Sequence, residues 1–207
     1  MIQFWDDVYS HDPSFFGDSP SEFAVLCCKE FEKLNVKRIL ELGSGQGRDA
    51  LYIASKGIEV YAIDSSKVAV DTLSKLSIEK NLPIHASTFE AKSKLPFEDN
   101  FFDSVYSHMF FNMRFTPEEI SILFKEVNRI LENGGLHFLT VRSDHDTFYK
   151  KGALVADKIY DIHGFQIRFF TKEEIKSFAI NANFQLTNIT EGYENPASLY
   201  LVSCSKR

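Results

Sequence analysis

Apolar residues along the chain fall into short consecutive runs separated by stretches where they recur every three or four positions. This is the signature of buried strands alternating with amphipathic helices. The runs are Arg38 to Leu42, Glu59 to Ile63, Ile84 to Ser87 after Pro83, Phe102 to Ser107 and Leu136 to Val141. Helical spacing predicts helices over Ser21 to Leu34, about Gly47 to Ser55, about Lys67 to Lys80, and Thr116 to Glu132. In the first of these Ser21 is a cap, and Phe23, Leu26, Cys27 and Phe31 are expected to share one face. The last has Pro117 in its first turn and Asn133-Gly134-Gly135 at its end. Strand, helix and strand in repetition imply a mostly parallel sheet covered on both faces. The C-terminal third changes character. Thr171 and Glu174 form a capping box for a helix to Asn181. Gln185 to Gly192 and Ala197 to Cys204 then alternate as strands around an Asn195-Pro196 turn, too close together for a crossover helix and so antiparallel.

The most informative segment is ILELGSGQGRDA, Ile39 to Ala50, where a buried strand breaks into a turn at Gly43, Gly45 and Gly47 and resumes as a helix. Such a turn brings bare backbone close to a ligand. The run VYAIDSS ends in Asp64, 21 residues beyond Gly43. At that spacing a carboxylate on the tip of the second strand reaches the two hydroxyls of a ribose, so the pair predicts a nucleoside cofactor. The glycines run G-x-G-x-G, Arg48 stands where a dinucleotide site has its third glycine, and Glu41 would place negative charge near a pyrophosphate. All three disfavour NAD. No Gly-Lys-Ser or Gly-Lys-Thr follows, which excludes a P-loop.

ILELGSGQGRDA followed by VYAIDSS resembles the glycine and second-strand acidic motifs of class I S-adenosylmethionine-dependent methyltransferases. LPFEDNFFDSVYS (Leu95 to Ser107) and EVNRILENGGLHFLTV (Glu126 to Val141) are similar to the segments around strands four and five of that family. The likeness runs from about Phe4 to the C-terminus. Within the family it points to the small single-domain enzymes acting on metabolites or xenobiotics, the tellurite-resistance-like and thiopurine-methyltransferase-like ones. The resemblance implies a Rossmann-like, seven-stranded, mostly parallel sheet of order 3-2-1-4-5-7-6 with the last strand antiparallel. It implies S-adenosyl-L-methionine as cofactor and in-line methyl transfer to a small molecule. Two alternatives stand beside it: a protein or nucleic-acid methyltransferase, and a non-catalytic S-adenosylmethionine-binding regulatory domain. SHMF after strand four, in place of Asn-Pro-Pro-Tyr or Asp-Pro-Pro-Tyr, removes the usual case of methylation on a nucleic-acid or protein amino nitrogen.

A chain of 207 residues, 44% apolar and 25% charged, is long enough for one domain with its own core. We expect a single domain over 1–207. Twenty-nine acidic against 23 basic residues give a net charge of -6, which disfavours a nucleic-acid partner. No apolar stretch approaches the roughly 18 residues of a membrane span, and MIQFWDDVYSHDP is acidic where a secretion signal is basic. No membrane association, a cytoplasmic location and a monomer or homodimer are therefore expected. Cys27, Cys28 and Cys204 have no metal-ligand spacing and no disulfide framework, so buried thiols and no metal are expected.

The resemblance assigns Glu41, Gly43, Ser44, Gly45 and Gly47 to the methionine end of the cofactor, Asp64 to the ribose, and Ser65, Thr88 and Phe89 to the adenine. Arg48 faces either the cofactor carboxylate or solvent. Ser107 and His108 follow strand four, where the family brings chemistry to the methyl group. His108 is a candidate base, and His145 a second one. Arg142 to Phe170 would form a substrate-pocket insertion offering Arg142, His163 and Arg168, the arginines suiting an anionic acceptor. Residues 1–22 are similar to the aromatic lid of small methyltransferases, with Trp5, Tyr9 and Phe16 lining an apolar pocket.

Overall fold

We describe the protein from a computed structural model, in which the described residues are 2–92 and 94–207; Met1, where the expected arm begins, lies outside them. In chain order the elements are α1 (Ile2–His11), α2 (Glu22–Lys33), β1 (Arg38–Leu42), α3 (Arg48–Ala54), β2 (Glu59–Asp64), α4 (Lys67–Glu79), β3 (Ile84–Thr88) and β4 (Phe102–His108). A 3-10 turn (Phe110–Asn112) follows, then α5 (Pro117–Ile130), β5 (Leu131–Arg142), β6 (Ala153–Ala156), β7 (Ile159–Ile162), β8 (Phe165–Arg168), α6 (Lys172–Asn181), β9 (Phe184–Glu194) and β10 (Ala197–Lys206). The main sheet has seven strands in the order β3-β2-β1-β4-β5-β10-β9. Its first four strands are parallel, and β10 runs antiparallel to both β5 and β9. This is the expected 3-2-1-4-5-7-6 arrangement, with β10 as the reversed strand. The chain divides into two compact units, Met1–Ala91 with Phe102–Tyr106, and Lys92–Phe101 with Ser107–Arg207.

In the first unit Ile39, Leu40 and Leu42 of β1 are completely buried, as a central parallel strand covered on both faces requires. Ser21 caps α2 by accepting from the Ala24 amide, and Phe23, Ala24, Cys27, Cys28 and Phe31 form its buried stripe. Leu26 departs from expectation: it is 49% exposed. The stripe follows the i, i+4 row through 23, 27 and 31, and position 26 projects well off its edge.

In the second unit Thr116 and Thr171 both head reciprocal capping boxes, with Glu119 and Glu174. Helix α5 stops at Ile130, two residues short of the expected end, and β5 begins before the Asn133-Gly134-Gly135 stretch rather than after it. The carbonyls of Arg129 and Ile130 accept from the amides of Asn100 and Phe101, which occupies the groups another helical turn would leave open. Leu131 is already extended there, and its carbonyl accepts from Lys206 Nζ at 2.7 Å. The expected substrate-pocket insertion contains an antiparallel three-stranded sheet, β6-β7-β8, which sequence spacing did not reveal. Tyr160 of this sheet, Tyr149 and Phe169 lie edge-on or tilted against one another.

Candidate functional site

The glycine turn is built from backbone outward. The amides of Gly43 and Ser44 both donate to the carbonyl of Ile63, so the turn hangs from the end of β2. Gly43, Gly45 and Gly47 all have left-handed φ, at 70°, 51° and 88°. A side chain would be strained at each. Space is short as well. A β-carbon on Gly45 would lie 2.7 Å from the Tyr9 hydroxyl, and one on Gly47 would run into the Leu73 side chain of α4.

Asp64 closes this turn onto the tip of β2. One carboxylate oxygen accepts from the Gly45 amide at 2.8 Å, the other from the Ser66 amide at 2.8 Å. Burial raises its pKa, against the pull of the amides of Ser66, Gly45 and Ser65. Ser65, next in line, is half-buried. Its carbonyl side of the strand holds the next segment too, since the Asp64 carbonyl accepts from the Phe89 amide. Phe89 is half-buried there and Thr88 exposed.

Glu41 is 3% exposed, and its Oε2 has no hydrogen-bond partner. Burial pushes its pKa well up, and the charges of Asp49 and Asp64 push it further. A buried carboxyl group with an orphaned oxygen beside a glycine turn suits a cationic ligand group. Ser44 Oγ is also buried without a partner. Two unsatisfied polar groups, on Glu41 and Ser44, thus stand beside the turn that Asp64 closes, a set that suits the expected methionyl nucleoside.

Within the expected arm, Ile2–His11 form helix α1. Asp6 of α1 accepts from Ser66 Oγ and from the Val68 amide, which satisfies the start of α4. Tyr9 is 5% exposed over Gly45. Burial raises its hydroxyl pKa, with the Asp64 charge adding to the effect. Trp5 stacks on Tyr9, and Phe16 lies tilted against both. Arg48 faces neither solvent nor ligand alone, since it donates to the Phe16 carbonyl at 2.9 Å.

Beneath the turn, Asp49 accepts from the Ser21 amide at 2.7 Å, the Ser21 hydroxyl at 2.8 Å and the Tyr106 hydroxyl at 2.7 Å. This buried network joins α2, α3 and β4. Tyr106, fully buried, has its pKa raised by that burial and by Asp49. Sequence reading found Ser21 only as a helix cap and passed over Asp49 and Tyr106, although a carboxylate in the first turn after the glycines is a visible signal.

In the second unit His108 ends β4 with its side chain 8% exposed. Its Nδ1 lies 2.9 Å from Thr140 Oγ1, and its Nε2 lies 3.0 Å from Glu194 Oε2. The Nε2 approach to Glu194 is an ion-pair contact, and the Nδ1 contact is a hydrogen bond with the Thr140 hydroxyl. Thr140 Oγ1 in turn accepts from the Met109 amide at 2.9 Å. Ser107 Oγ is buried without a partner. Neither Thr140 nor Glu194 was singled out from sequence, for nothing in spacing brings β9 to the end of β4.

Arg142 pairs with Asp146 through Nε and Nη2, at 3.0 and 3.1 Å. Arg168 is 1% exposed, donates to the Asp157 carbonyl, lies 3.4 Å from Asp157 and Glu174 carboxylates and packs over Phe170. Both arginines spend their charge inside the protein. His145 is exposed, 3.2 Å from Glu191, and His163 sits exposed in the β7–β8 turn with φ 54°. No group of three His, Cys, Asp or Glu placed to hold a metal occurs among the described residues, and no helix among them is long and apolar enough to cross a membrane.

Comparison with known proteins agrees with the fold. The chain is 27% identical over 121 residues, 58% of its length, to the cypemycin N-terminal methyltransferase of a Streptomyces species. Those residues span 48% of that protein, so the chain covers only about half of its length. A S-adenosylmethionine-dependent methyltransferase structure from Methanosarcina mazei superposes with a TM-score of 0.73 at 21% identity, covering 82% of this chain and 92% of that one. The cyclase SpnF superposes with a TM-score of 0.74 at 16% identity, covering 99% and 94%. Residues 39–135 match a family model described as a methyltransferase domain, and the fold is one shared with the Methanosarcina mazei structure.

Proposed function

We propose that the protein transfers a methyl group from S-adenosylmethionine to a small-molecule acceptor by in-line displacement. The observation that carries this reading is the buried, partnerless Glu41 oxygen next to three left-handed glycines and the Asp64 carboxylate. A phosphate-bearing cofactor would meet repulsion from the Asp49 and Asp64 carboxylates and would add nothing for Glu41, whereas the ammonium group of a sulfonium zwitterion favours an ionised Glu41. When bound, the sulfonium supplies an already activated methyl group, so the protein's task is to hold, orient and keep water out. Glu41 and Ser44 hold the amino-acid end, with Gly43, Gly45 and Gly47 beneath it, Asp64 holds the ribose, and Ser65, Thr88 and Phe89 border the adenine. In this reading residues 1–207 act as one methyltransferase domain, residues 1–22 close as a lid, residues 142–170 line an acceptor pocket, and the chain works in the cytoplasm as a monomer or homodimer.

The same fold serves SpnF, a protein described as a cyclase, so likeness of fold does not decide the reaction. A second reading, methylation of the N-terminal amine of a peptide, draws support from similarity to the cypemycin enzyme. Calorimetric titration with S-adenosylmethionine, S-adenosylhomocysteine and NAD tests the cofactor. Binding of the first two without NAD is expected. Release of S-adenosylhomocysteine across thiols, metalloid oxyanions, phenols, carboxylates, amines and short peptides then tests turnover, and no release with any acceptor would favour a binding-only domain.

A further inference from the structure

Strand β6 ends the small sheet of the second unit, with β7 as its neighbour. Its sequence is Ala-Leu-Val-Ala and all four residues are exposed, Leu154 at 65% and Val155 at 38%. At the opposite edge β8 is half-buried through Phe165, Gln166 and Ile167 and buried at Arg168. An edge strand offers a row of backbone N–H and C=O groups to another strand, and proteins that stay monomeric blunt such edges with lysine, proline or inward charge. β6 carries none of these. We propose that β6 pairs with β6 of a second copy of this chain, antiparallel about a two-fold axis at Leu154, joining two three-stranded sheets into one of six strands. This surface goes beyond the methyl-transfer reading and does not depend on it.

Self-complementarity identifies a second copy as the occupant. With the Leu154 residues of the two copies opposite each other, Ala153 faces Val155 and Gly152 faces Ala156, so apolar meets apolar along the strand. Just beyond its ends, Lys151 of each copy faces Asp157 of the other, and both residues are exposed. Two opposite-charge pairs therefore form in this register. Shifted by one residue, Lys151 would face Lys158 or Ala156 and the match is lost.

Packing favours the same axis. Leu154 lies directly opposite Tyr160 of β7, so the two side chains share a face of the sheet. In the paired sheet both Leu154 side chains come together between the two Tyr160 rings, an apolar row that neither copy completes alone. The register between β6 and β7 shifts between Leu154 and Ala156, a bulge at Val155. A bulge bends its strand and interrupts the ladder, which confines the contact to the few residues around Leu154. A two-fold contact uses the same edge of both copies and so closes as a dimer. Four residues per strand make a small interface, so the dimer should be reversible, with a dissociation constant on the order of tens of micromolar.

Sedimentation of the full chain from low micromolar to near-millimolar concentration tests this, and a reversible monomer–dimer equilibrium is expected. Leu154→Lys, at an exposed position, should leave the chain folded and monomeric throughout. Lys151→Glu and Asp157→Lys should each weaken the dimer by about tenfold by setting like charges face to face, and the two together should restore it. The register is read with cysteine variants, because Cys27, Cys28 and Cys204 are buried. Mild oxidation should link Leu154→Cys into a disulfide dimer and leave Ala156→Cys, two residues off the axis, unlinked. If Leu154→Lys lowers the melting temperature, Lys151→Glu and the cysteine variants decide alone. A chain monomeric over the whole range, larger assemblies in place of a dimer, or a dimer that survives Leu154→Lys would overturn the proposal. So would charge reversals that do not cancel, or equal linking of the two cysteine variants.

Discussion

The carboxylate of Asp64 accepts the amide of Gly45 at 2.8 Å, which ties the tip of the second strand to the middle of the glycine turn. Asp64 therefore shapes the turn, and in the proposed function it also meets the ribose. Asp64→Asn keeps one acceptor oxygen for the turn but loses the charge. A charge-assisted hydrogen bond is worth about 1.5 to 3 kcal/mol, so S-adenosylmethionine should bind roughly tenfold to a hundredfold more weakly. Calorimetry reads this directly. Unchanged affinity would remove the ribose assignment.

Gly45→Ala should be more damaging than its one added methyl suggests. The left-handed φ of 51° costs about 1 to 2 kcal/mol for any residue with a β-carbon. In addition the methyl meets the Tyr9 hydroxyl, at 2.7 Å. Tyr9→Phe removes that oxygen, so the second cost should fall away in Gly45→Ala, Tyr9→Phe while the first remains. A double-mutant cycle on thermal stability measures the coupling. Strict additivity would mean that Tyr9 does not rest on the turn in solution.

Asp49 is the hub under the site, with three donors and almost no exposure. Asp49→Ala leaves the Ser21 amide and hydroxyl and the Tyr106 hydroxyl buried without their acceptor. We expect a loss of about 3 to 5 kcal/mol in chemical denaturation. Tyr106→Phe, which deletes a donor and leaves Asp49 the other two, should cost about 1 to 2 kcal/mol. Equal costs would show that the network is not centred on Asp49.

Strands and helices that bury one face were readable from periodicity, because burial imposes the period: Arg38 to Leu42 and Thr171 to Asn181 were found nearly to the residue. The glycines and Asp64 were readable because their constraint is local, a backbone turn followed by a strand of fixed length. What stayed hidden depends on distance in sequence. Tyr9 meets Gly45 across 36 positions, and His108 meets Glu194 across 86. The β6-β7-β8 sheet escaped because its strands have four residues each, too short for a period to emerge, and β6 is exposed throughout. Arg142 and Arg168 were read as cations for an acceptor, yet their partners are near in sequence, Asp146 four residues from Arg142 and Glu174 six from Arg168, with no single helix or strand holding both members of a pair and so no period to signal it.

Glu41 predicts how cofactor affinity varies with pH. Burial and the neighbouring carboxylates raise its pKa, so the ligand-free protein holds it neutral over a range where an ordinary carboxylate is ionised. An ammonium group prefers the ionised form. Binding should then release a proton, and affinity should rise as pH rises toward the elevated pKa and level off above it. Glu41→Gln should bind more weakly and without that slope. The ligand-free variant should also be the more stable of the two at high pH, since it lacks a charge whose burial is unfavourable, with the difference shrinking as pH falls and Glu41 becomes protonated. Titrations in buffers of differing ionisation enthalpy count the released proton.

His137 governs the acid limb of stability. It is fully buried among Phe111, Phe124 and Phe184, and neither ring nitrogen has a hydrogen-bond partner. Burial lowers its pKa from 6.5 to about 3. Between those values the unfolded chain takes up a proton that the folded protein refuses, so stability is full above the unfolded pKa and falls as pH drops through this window. The slope approaches about 1.4 kcal/mol per pH unit for one such group. His137→Leu removes the titrating ring together with its orphaned polar atoms. It should be about as stable as the parent protein near neutrality, or more so, because an unsatisfied buried donor costs about 1 to 3 kcal/mol. Below the unfolded pKa the two proteins should diverge, the parent losing stability faster. Urea denaturation across that pH range separates the cases, and parallel curves for the two proteins would mean that His137 is protonated in the fold or reached by water.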